Sequence, residues 1–278
     1  MLKILAPTDF SANSRAGLRF ALQWSVKQKL AIQFVHFFHP IRLPEWTDLD
    51  FQQKVEIAAA LYQNKLEQFV RAIYKSTKIV PGKYSCIARY GLSADIAIMD
   101  YCRDHVDIDF ICIATRGAGK LNKLLGTNTG NLTIKSRVPV ITVPKNYRIK
   151  PLKSILYATD FNNYTEELKK VIAFARPLEA KIKVLHFSRP DEEIPNLIML
   201  KKRKKERLHS TIEIQIKKRK SSQSLLEDLQ KQISILKPSL IVMFTNQHRN
   251  FFQKILSPSK AEQISFGTTF PLLSFNKQ

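Results

Sequence analysis

The sequence lacks the patterns that mark membrane, disulfide-bonded and metal-binding proteins. No apolar run reaches the about 18 to 20 residues of a membrane-spanning helix, and the N-terminus turns polar after six residues, unlike a secretory signal. The only three cysteines, Cys86, Cys102 and Cys112, lie in apolar stretches without metal-ligand spacing, which favours buried thiols. The histidines form neither HxxxH nor HExxH. These absences predict a soluble cytoplasmic protein without membrane contact or a metal centre.

Acidic residues are also scarce, at 23 against 45 lysines and arginines, so the net charge is +22. Such an excess attracts polyanions or phosphate-bearing ligands at low salt. It is sharpest between Leu200 and Lys220, where two interpretations stay open: a solvated helix and strand with basic ends, or a surface for nucleic acid or another polyanion. Aromatic residues are not interleaved with this run, so only salt-sensitive contact with a phosphate backbone is expected.

The chain contains the same pattern twice. An apolar run ending in Thr-Asp-Phe, a stretch of helical periodicity and a second apolar run ending in His-Phe occur near the N-terminus and again from residue 154. Asp9 thereby corresponds to Asp160, and His36 to His186. The chain is therefore predicted to be a tandem duplication, with domain 1 at residues 1–148 and domain 2 at residues 149–278.

Within each predicted domain, five short apolar runs alternate with amphipathic segments. Strands are predicted near 3–8, 31–37, 83–89, 109–114 and 138–143, and then near 154–158, 181–187, 211–217, 239–244 and 270–275. Helices are predicted in domain 1 near 12–28, 51–76, 93–105 and 127–136. Strands that are apolar nearly throughout suit a parallel sheet covered on both faces. The predicted fold class is α/β, with two tandem, doubly wound, five-stranded parallel sheets.

Glycine is scarce too, and four of the eight glycines lie in one segment, ATRGAGKLNKLLGTNTGN, from Ala114 to Asn131. The segment contains GAGK, which looks like the end of an ATP-binding P-loop. A P-loop needs a glycine, four residues and then Gly-Lys-Ser/Thr, because its hydroxyl ligates Mg²⁺. Here Ala114 stands at the first glycine and Leu121 follows Lys120, and the segment follows the fourth predicted strand. The sequence therefore excludes a P-loop.

The same segment can still form a phosphate-binding site of a different kind. Gly117 and Gly119 let backbone N–H groups approach an anion closely. Gly126, Thr127 and Asn128 stand at the start of a predicted helix, and helix N-termini attract anions through unpaired N–H groups and the helix dipole. Glycines also serve ordinary turns, so both interpretations stay open.

The ends of three strands meet at one edge of the predicted sheet in domain 1. Ligands of open parallel sheets bind beyond the carboxyl ends of the strands, where the strand order reverses. Asp9 has two interpretations at this edge: a cap for the following helix, or an acceptor for a ribose hydroxyl or an adenine amino group. His36, near the end of the second strand, is interpreted as a packed, hydrogen-bonded histidine.

Four motifs in order resemble a known family. PTDFS follows strand one, VHFF ends strand two, YGLSADIAIMDYC begins a helix, and the glycine segment closes on GT before VPVITVP. Together they resemble the universal stress protein family, and domain 2 resembles it as well. The resemblance implies an adenine nucleotide alpha hydrolase-like, Rossmann-like fold in each domain. It also implies that the fifth strands pair, here within one chain through 138–143 and 270–275, as an intrachain pseudo-dimer. A homodimer of whole chains stays open.

One branch of this family binds ATP through Gly-x2-Gly-x9-Gly-Ser/Thr and the aspartate after strand one. Carried over to this sequence, the resemblance implies the nucleotide-binding residues Pro7, Thr8, Asp9, Gly117, Gly126, Thr127 and Asn128. Asp9 would meet adenine or ribose, with Pro7 and Thr8 lining the same edge. Gly117 would contact the ribose or phosphates, and the last three residues would hold the phosphates. The residue after His36, which usually contacts adenine in the family, is Phe37 here and stays unassigned.

The sequence departs from that pattern in both domains. Ala114 replaces the first glycine, and eight rather than nine residues separate Gly117 from Gly126. The corresponding segment of domain 2, TNQHRNFFQKILSPSKAE, has no glycine, and Pro258 removes an N–H that would face a phosphate. We expect domain 1 to bind ATP, with or without Mg²⁺, and domain 2 not to bind it in the same manner.

The sequence thus predicts an ATP-binding stress-response or signalling protein without an evident catalytic group, because no side chain in the motif is a plausible general base. Slow ATP hydrolysis stays open. Two alternatives also stay open: an interaction protein that has lost nucleotide binding, and a basic protein that contacts nucleic acid or another polyanion.

Overall fold

The computed structural model of the chain describes residues 1–115, 127–188, 212–219, 225–245 and 270–276. The strands in these ranges are β1 (Lys3–Pro7), β2 (Ala31–Phe38), β3 (Tyr84–Tyr90), β4 (Phe110–Ala114), β5 (Val140–Val143), β6 (Ser154–Ala158), β7 (Lys181–Ser188), β8 (Ile212–Lys218), β9 (Leu240–Thr245) and β10 (Leu272–Asn276). The α-helices are α1 (Arg15–Lys27), α2 (Asp48–Thr77), α3 (Ala94–Asp104), α4 (Thr127–Lys135), α5 (Tyr164–Ala175) and α6 (Leu225–Leu236).

The strands form one sheet in the order β3-β2-β1-β4-β5-β10-β9-β6-β7-β8. All neighbours within the first half, β1 to β5, and within the second half, β6 to β10, are parallel. The halves join through the antiparallel pair β5–β10, in which Thr142 faces Leu272. The predicted fold class and the predicted pairing of the fifth strands are confirmed. The domain division at residues 148 and 149 falls between β5 and β6 and stays a prediction.

Helices cover both faces of the sheet in the first half, as parallel strands require. Alternate residues of β1 point to opposite sides: Ile4 and Ala6 pack in one cluster with α1 and α2, whereas Leu5 packs in another with α3 and α4. Because of this alternation, the amphipathic helices predicted from the sequence pack in two layers, one on each face of the sheet. No helix among the described residues is long and apolar enough to cross a bilayer.

Two helix starts differ from the predicted ones by three residues. Helix α1 begins at residue 15 rather than 12, because a turn with Phe10 in the left-handed region (φ 64°) intervenes after β1. Helix α2 begins at residue 48 rather than 51, because Thr47 and Asp50 form a capping box just before the apolar periodicity becomes visible. Local hydrogen bonds, which the apolar pattern does not report, set both starts.

Helix α2 also protects the outermost strand of the first half. The side-chain amide of Gln63 donates to the carbonyl oxygen of Cys86 (2.9 Å) and accepts from the backbone N–H of Ala88 (2.9 Å). A neighbouring strand would make the same two bonds, so Gln63 occupies part of the edge of β3. Unpaired strand edges are templates for association with another chain, and covering them prevents it.

Candidate functional site

The turn after β1 holds Asp9 in a fixed orientation. Phe10 has a φ of 64°, a conformation that non-glycine residues rarely adopt. Two side chains close the turn: Thr8 Oγ1 accepts the N–H of Phe10 (3.1 Å), and Asp9 Oδ1 accepts the N–H of Ser11 (3.0 Å). Asp9 itself is exposed. Asp9 therefore caps the turn after β1 and is not the N-cap of α1, which is Ser14. This bond leaves the Asp9 carboxylate accessible, so a ligand role for it stays open.

His36 and Ser14 brace the same turn from behind. His36 Nδ1 lies 2.8 Å from the carbonyl oxygen of Thr8, so this nitrogen carries the proton and donates it. Burial lowers the pKa of His36 below its ordinary value, although the bond to Thr8 opposes the shift. The hydroxyl of Ser14 meets that of Thr8 at 2.8 Å. His36 is therefore the packed, hydrogen-bonded histidine that the sequence predicts.

The second half repeats this turn almost atom for atom. Phe161 has a φ of 62°, Asp160 Oδ1 accepts the N–H of Asn162 (3.1 Å), and His186 Nδ1 lies 2.9 Å from the carbonyl oxygen of Thr159. The duplicated Thr-Asp-Phe motif thus has a structural role in each half. A ligand role for Asp9 must rest on what surrounds it, since the turn alone explains the residue.

A cavity of about 190 Å³ surrounds the exposed carboxylate of Asp9. It lies where β1 runs between β2 and β4, the point at which the strand order of the first half reverses. Its lining residues come from the ends of these strands and the starts of α1, α3 and α4: Pro7, Thr8, Asp9, Ser11, Asn13, Ser14, Val35, Phe37, Ala94, Ile98, Ile113, Ala114, Thr115 and Thr129. The lining combines apolar side chains, which form what we call the apolar wall (Val35, Phe37, Ile98 and Ile113), with several hydroxyls and a single carboxylate.

The structure brings three of the predicted site residues together in this cavity: Pro7, Thr8 and Asp9. Gly117 and Gly126 lie outside the described residues. Thr127 and Asn128 are the first two residues of α4, and of these two only the backbone is described. The cavity includes residues on both sides of the undescribed range 116–126, so the chain enters and leaves that range at the cavity.

Gly17 lets α1 approach β4 beside the cavity. A Cβ atom on this buried glycine would lie 2.9 Å from the backbone nitrogen of Ala114 and 3.1 Å from the carbonyl carbon of Ile113, both lining residues. Only a glycine permits this distance. The close packing of α1 on β4 keeps Ser14, at the start of the helix, against the cavity rim.

Sequence reasoning missed several lining residues. Ser11 and Ser14 are not among the predicted site residues, yet both line the cavity, and Thr129 lines it from α4. The position of Ser11 and Ser14 directly after the first strand was the available signal. Phe37, left unassigned, forms part of the apolar wall.

The electrostatics favour an ionised Asp9. Partial desolvation of the exposed carboxylate by the surrounding turn would by itself raise the pKa of Asp9, but hydrogen bonds from Ser11 and Ser14 outweigh it, so the pKa lies below its ordinary value. Among the described residues that line the cavity, Asp9 is the one that is ionisable. In the described part of the chain, no group of three His, Cys, Asp or Glu residues is placed to hold a metal ion.

Comparisons with known proteins agree with this architecture. A model of the universal stress protein family matches residues 1–144, more than half of the chain. A universal stress protein from Archaeoglobus fulgidus DSM 4304 has 18% sequence identity and a TM-score of 0.70, over 99% of this chain and 96% of that one. A protein of unknown function from Pseudomonas aeruginosa PAO1 has 12% identity and a TM-score of 0.59, over 99% and 92%. Both likenesses concern the fold, and a comparison with curated proteins found no match. On the family model, the chain belongs to the universal stress protein family.

Proposed function

We propose that the first half binds an adenine nucleotide, with ATP as the expected ligand, in the cavity beside Asp9. The observation that carries the proposal is the position of this cavity at the reversal of strand order, with an ionised carboxylate on its rim. Sites at this position in doubly wound sheets hold nucleotides in many folds. Binding, rather than turnover, would be the means by which the protein acts in a stress response or in signalling.

The nucleoside end of the ligand suits the described walls. Val35, Phe37, Ile98 and Ile113 offer an apolar surface for a base, and the Asp9 carboxylate can accept hydrogen bonds from ribose hydroxyls or an exocyclic amine. The cavity of about 190 Å³ is smaller than the roughly 300 to 1000 Å³ of sites for drug-sized ligands. The described walls therefore match a nucleoside better than a whole nucleotide.

The phosphate end would lie toward the glycine segment. Helices α3 and α4 each contribute a residue from their first turn to the cavity, and α1 contributes its N-cap residue, Ser14, so three helix N-termini converge on it. Unpaired N–H groups and the positive end of a helix dipole favour an anion there. Gly117, Gly126, Thr127 and Asn128 are proposed to hold the phosphates, on the strength of the sequence pattern.

Nothing among the described lining residues favours hydrolysis. A general base needs a pKa near the working pH, whereas the pKa of Asp9 is lowered, which makes its carboxylate a weak base. His36 donates its Nδ1 proton to a backbone carbonyl and is not among the lining residues. A role as an acceptor of ligand hydrogen bonds fits Asp9 better than a role in proton transfer.

Calorimetric titration of the full chain with MgATP tests the proposal, and the duplication supplies a matched control. Asp9→Asn keeps the turn acceptor but removes the charge, so ATP affinity should fall by about tenfold or more. Asp160→Asn makes the same change in the second half and should leave the affinity unchanged. Wild-type protein saturated at about 100 times its dissociation constant should gain about 2.7 kcal/mol of unfolding free energy.

Two results would count against the proposal. The absence of both heat and thermal stabilisation with millimolar MgATP would refute nucleotide binding, and would favour the interaction protein without a nucleotide. Equal losses in Asp9→Asn and Asp160→Asn would refute the location of the site. Binding of nucleic acid or another polyanion stays a prediction, because most of the basic run from Leu200 to Lys220 lies outside the described residues.

A further inference from the structure

A buried carboxylate lies directly behind the cavity. Asp95 is the second residue of α3 and is only 6% exposed. It does not line the cavity, but Ala94 before it and Ile98 one turn later do. A buried ionisable residue needs partners, because an unpaired charge in the interior is costly.

Asp95 has such partners on two elements. The hydroxyl of Ser93 donates to Asp95 Oδ1, and the side-chain amide of Asn131, the fifth residue of α4, donates to Asp95 Oδ2 at 2.7 Å. Burial by itself would raise the pKa of Asp95, but these bonds outweigh it and hold the pKa below its ordinary value. The bond to Asn131 is thus charge-assisted and directional, unlike an apolar contact.

The bond joins α3 to the helix that carries the proposed phosphate residues. Asn131 lies one turn after Thr127 and Asn128, and Thr129 between them lines the cavity. A hydrogen bond at this position fixes both the rotation of α4 about its axis and its distance from α3. Apolar side chains can slide along one another, whereas a directional hydrogen bond between an amide and a carboxylate holds one register.

We infer that Asp95 is a positioning residue: through Asn131 it aligns the first turn of α4 with the cavity, and so sets the strength of phosphate binding. The inference rests on the proposed nucleotide site. Asp95 acts on the phosphate end only, because Asp9 lies in the turn after β1 and most of the apolar wall stands on β2 and β4, so neither depends on α4.

The test is titration of full-length variants with ATP and, separately, with adenosine. Asp95→Ala and Asn131→Ala each remove the bond, so each should weaken ATP binding by roughly 2- to 30-fold, the range that a helix N-terminus contributes to anion binding. Adenosine affinity should change by less than about twofold, since adenosine has no phosphate. Exchanging the partners, Asp95→Asn with Asn131→Asp, recreates the bond and should restore most of the ATP affinity.

Asp100→Asn serves as the control, because it removes an exposed ion pair with Arg103 from the same helix (2.8 Å) and should bind both ligands as wild type does. An equal loss for ATP and adenosine, or no rescue on exchange, would show a general structural role and overturn the inference. Unchanged ATP affinity would do the same. If Asp95→Ala does not fold, Asn131→Ala decides by the same criteria. Wild-type protein that binds neither ligand would refute the proposed function, and this inference with it.

Discussion

Replacing Gly17 by alanine adds one methyl group at the most crowded point between α1 and the sheet. The new Cβ would lie 2.9 Å from the backbone nitrogen of Ala114, and 3.1 and 3.3 Å from the carbonyl carbon and Cα of Ile113. These are backbone atoms of β4, which is paired on both sides, with β1 and β5. The strand cannot yield and no flexible side chain is there to do so, which means that α1 must move.

Two opposing effects set the size of the change. Alanine in place of glycine within a helix is favourable by about 1 kcal/mol. Overpacking of a close contact costs about 1 to 3 kcal/mol, and a backbone neighbour puts Gly17→Ala in the upper part of that range. The net expectation is a loss of about 1 to 2 kcal/mol. At roughly 2 to 4 °C per kcal/mol for a domain of about 150 to 250 residues, Tm should fall by about 2 to 8 °C.

Urea and thermal unfolding of Gly17→Ala beside Gly82→Ala measure the effect. Gly82 has no atom within 4 Å of a built Cβ and no positive φ, so its replacement should be neutral or stabilising by up to about 1 kcal/mol. Gly17→Ala should also weaken nucleotide binding, because Ser14 moves with α1. A Gly17→Ala protein as stable as the wild type would refute the reasoning about close packing.

Three further outcomes follow from buried hydrogen bonds. Tyr157→Phe removes the 2.5 Å bond from its hydroxyl to Glu167, which is 4% exposed, and should cost about 1.5 to 3 kcal/mol in urea unfolding. Gln63→Leu leaves two backbone groups of β3 unpaired, and should cost about 1 to 3 kcal/mol and produce larger species in light scattering. Folding lowers the pKa of Asp95, so its contribution to stability is present above about pH 4 and is lost as pH falls through the folded-state pKa. Asp95→Asn should therefore lose less unfolding free energy than wild type when the pH is lowered through this range.

Each of these outcomes has a matched control nearby. Tyr164→Phe alters a half-buried tyrosine that packs against the same cluster, without touching the bond to Glu167, and should cost less than Tyr157→Phe. Asn64→Leu changes the exposed residue beside Gln63 and should leave the oligomeric state as it is. Asp100→Asn should lose as much unfolding free energy at acid pH as the wild-type protein does. Equal behaviour of a variant and its control would contradict the corresponding explanation.

The duplication and the order of strands and helices followed from the sequence because they depend on local periodicity. A strand buried on both faces must be apolar nearly throughout, and a helix lying on it must be amphipathic, so β1 to β10 all lie within two residues of their predicted bounds. The turn motif was equally local. Asp9 and Asp160 appeared in the same sequence context, and each forms the same bond two residues ahead.

The tertiary structure decided which distant side chains meet. Nothing in the apolar pattern tells that Gln63 reaches the edge of β3, that Asp95 meets Asn131, or that Gly17 touches the backbone of β4. These contacts depend on the separation and rotation of whole helices, and tertiary packing sets both. The local turn at Phe10 gains one such contact as well, because the Phe10 ring packs against His36, at 4.2 Å between ring centres, and this packing offsets part of the cost of its left-handed conformation. The sequence alone determined the fold, because the fold follows from periodicity and topology, and the same topology indicates the edge at which we propose that a ligand binds. The shape of the cavity and the residues that brace it were decided by packing between elements far apart in the chain.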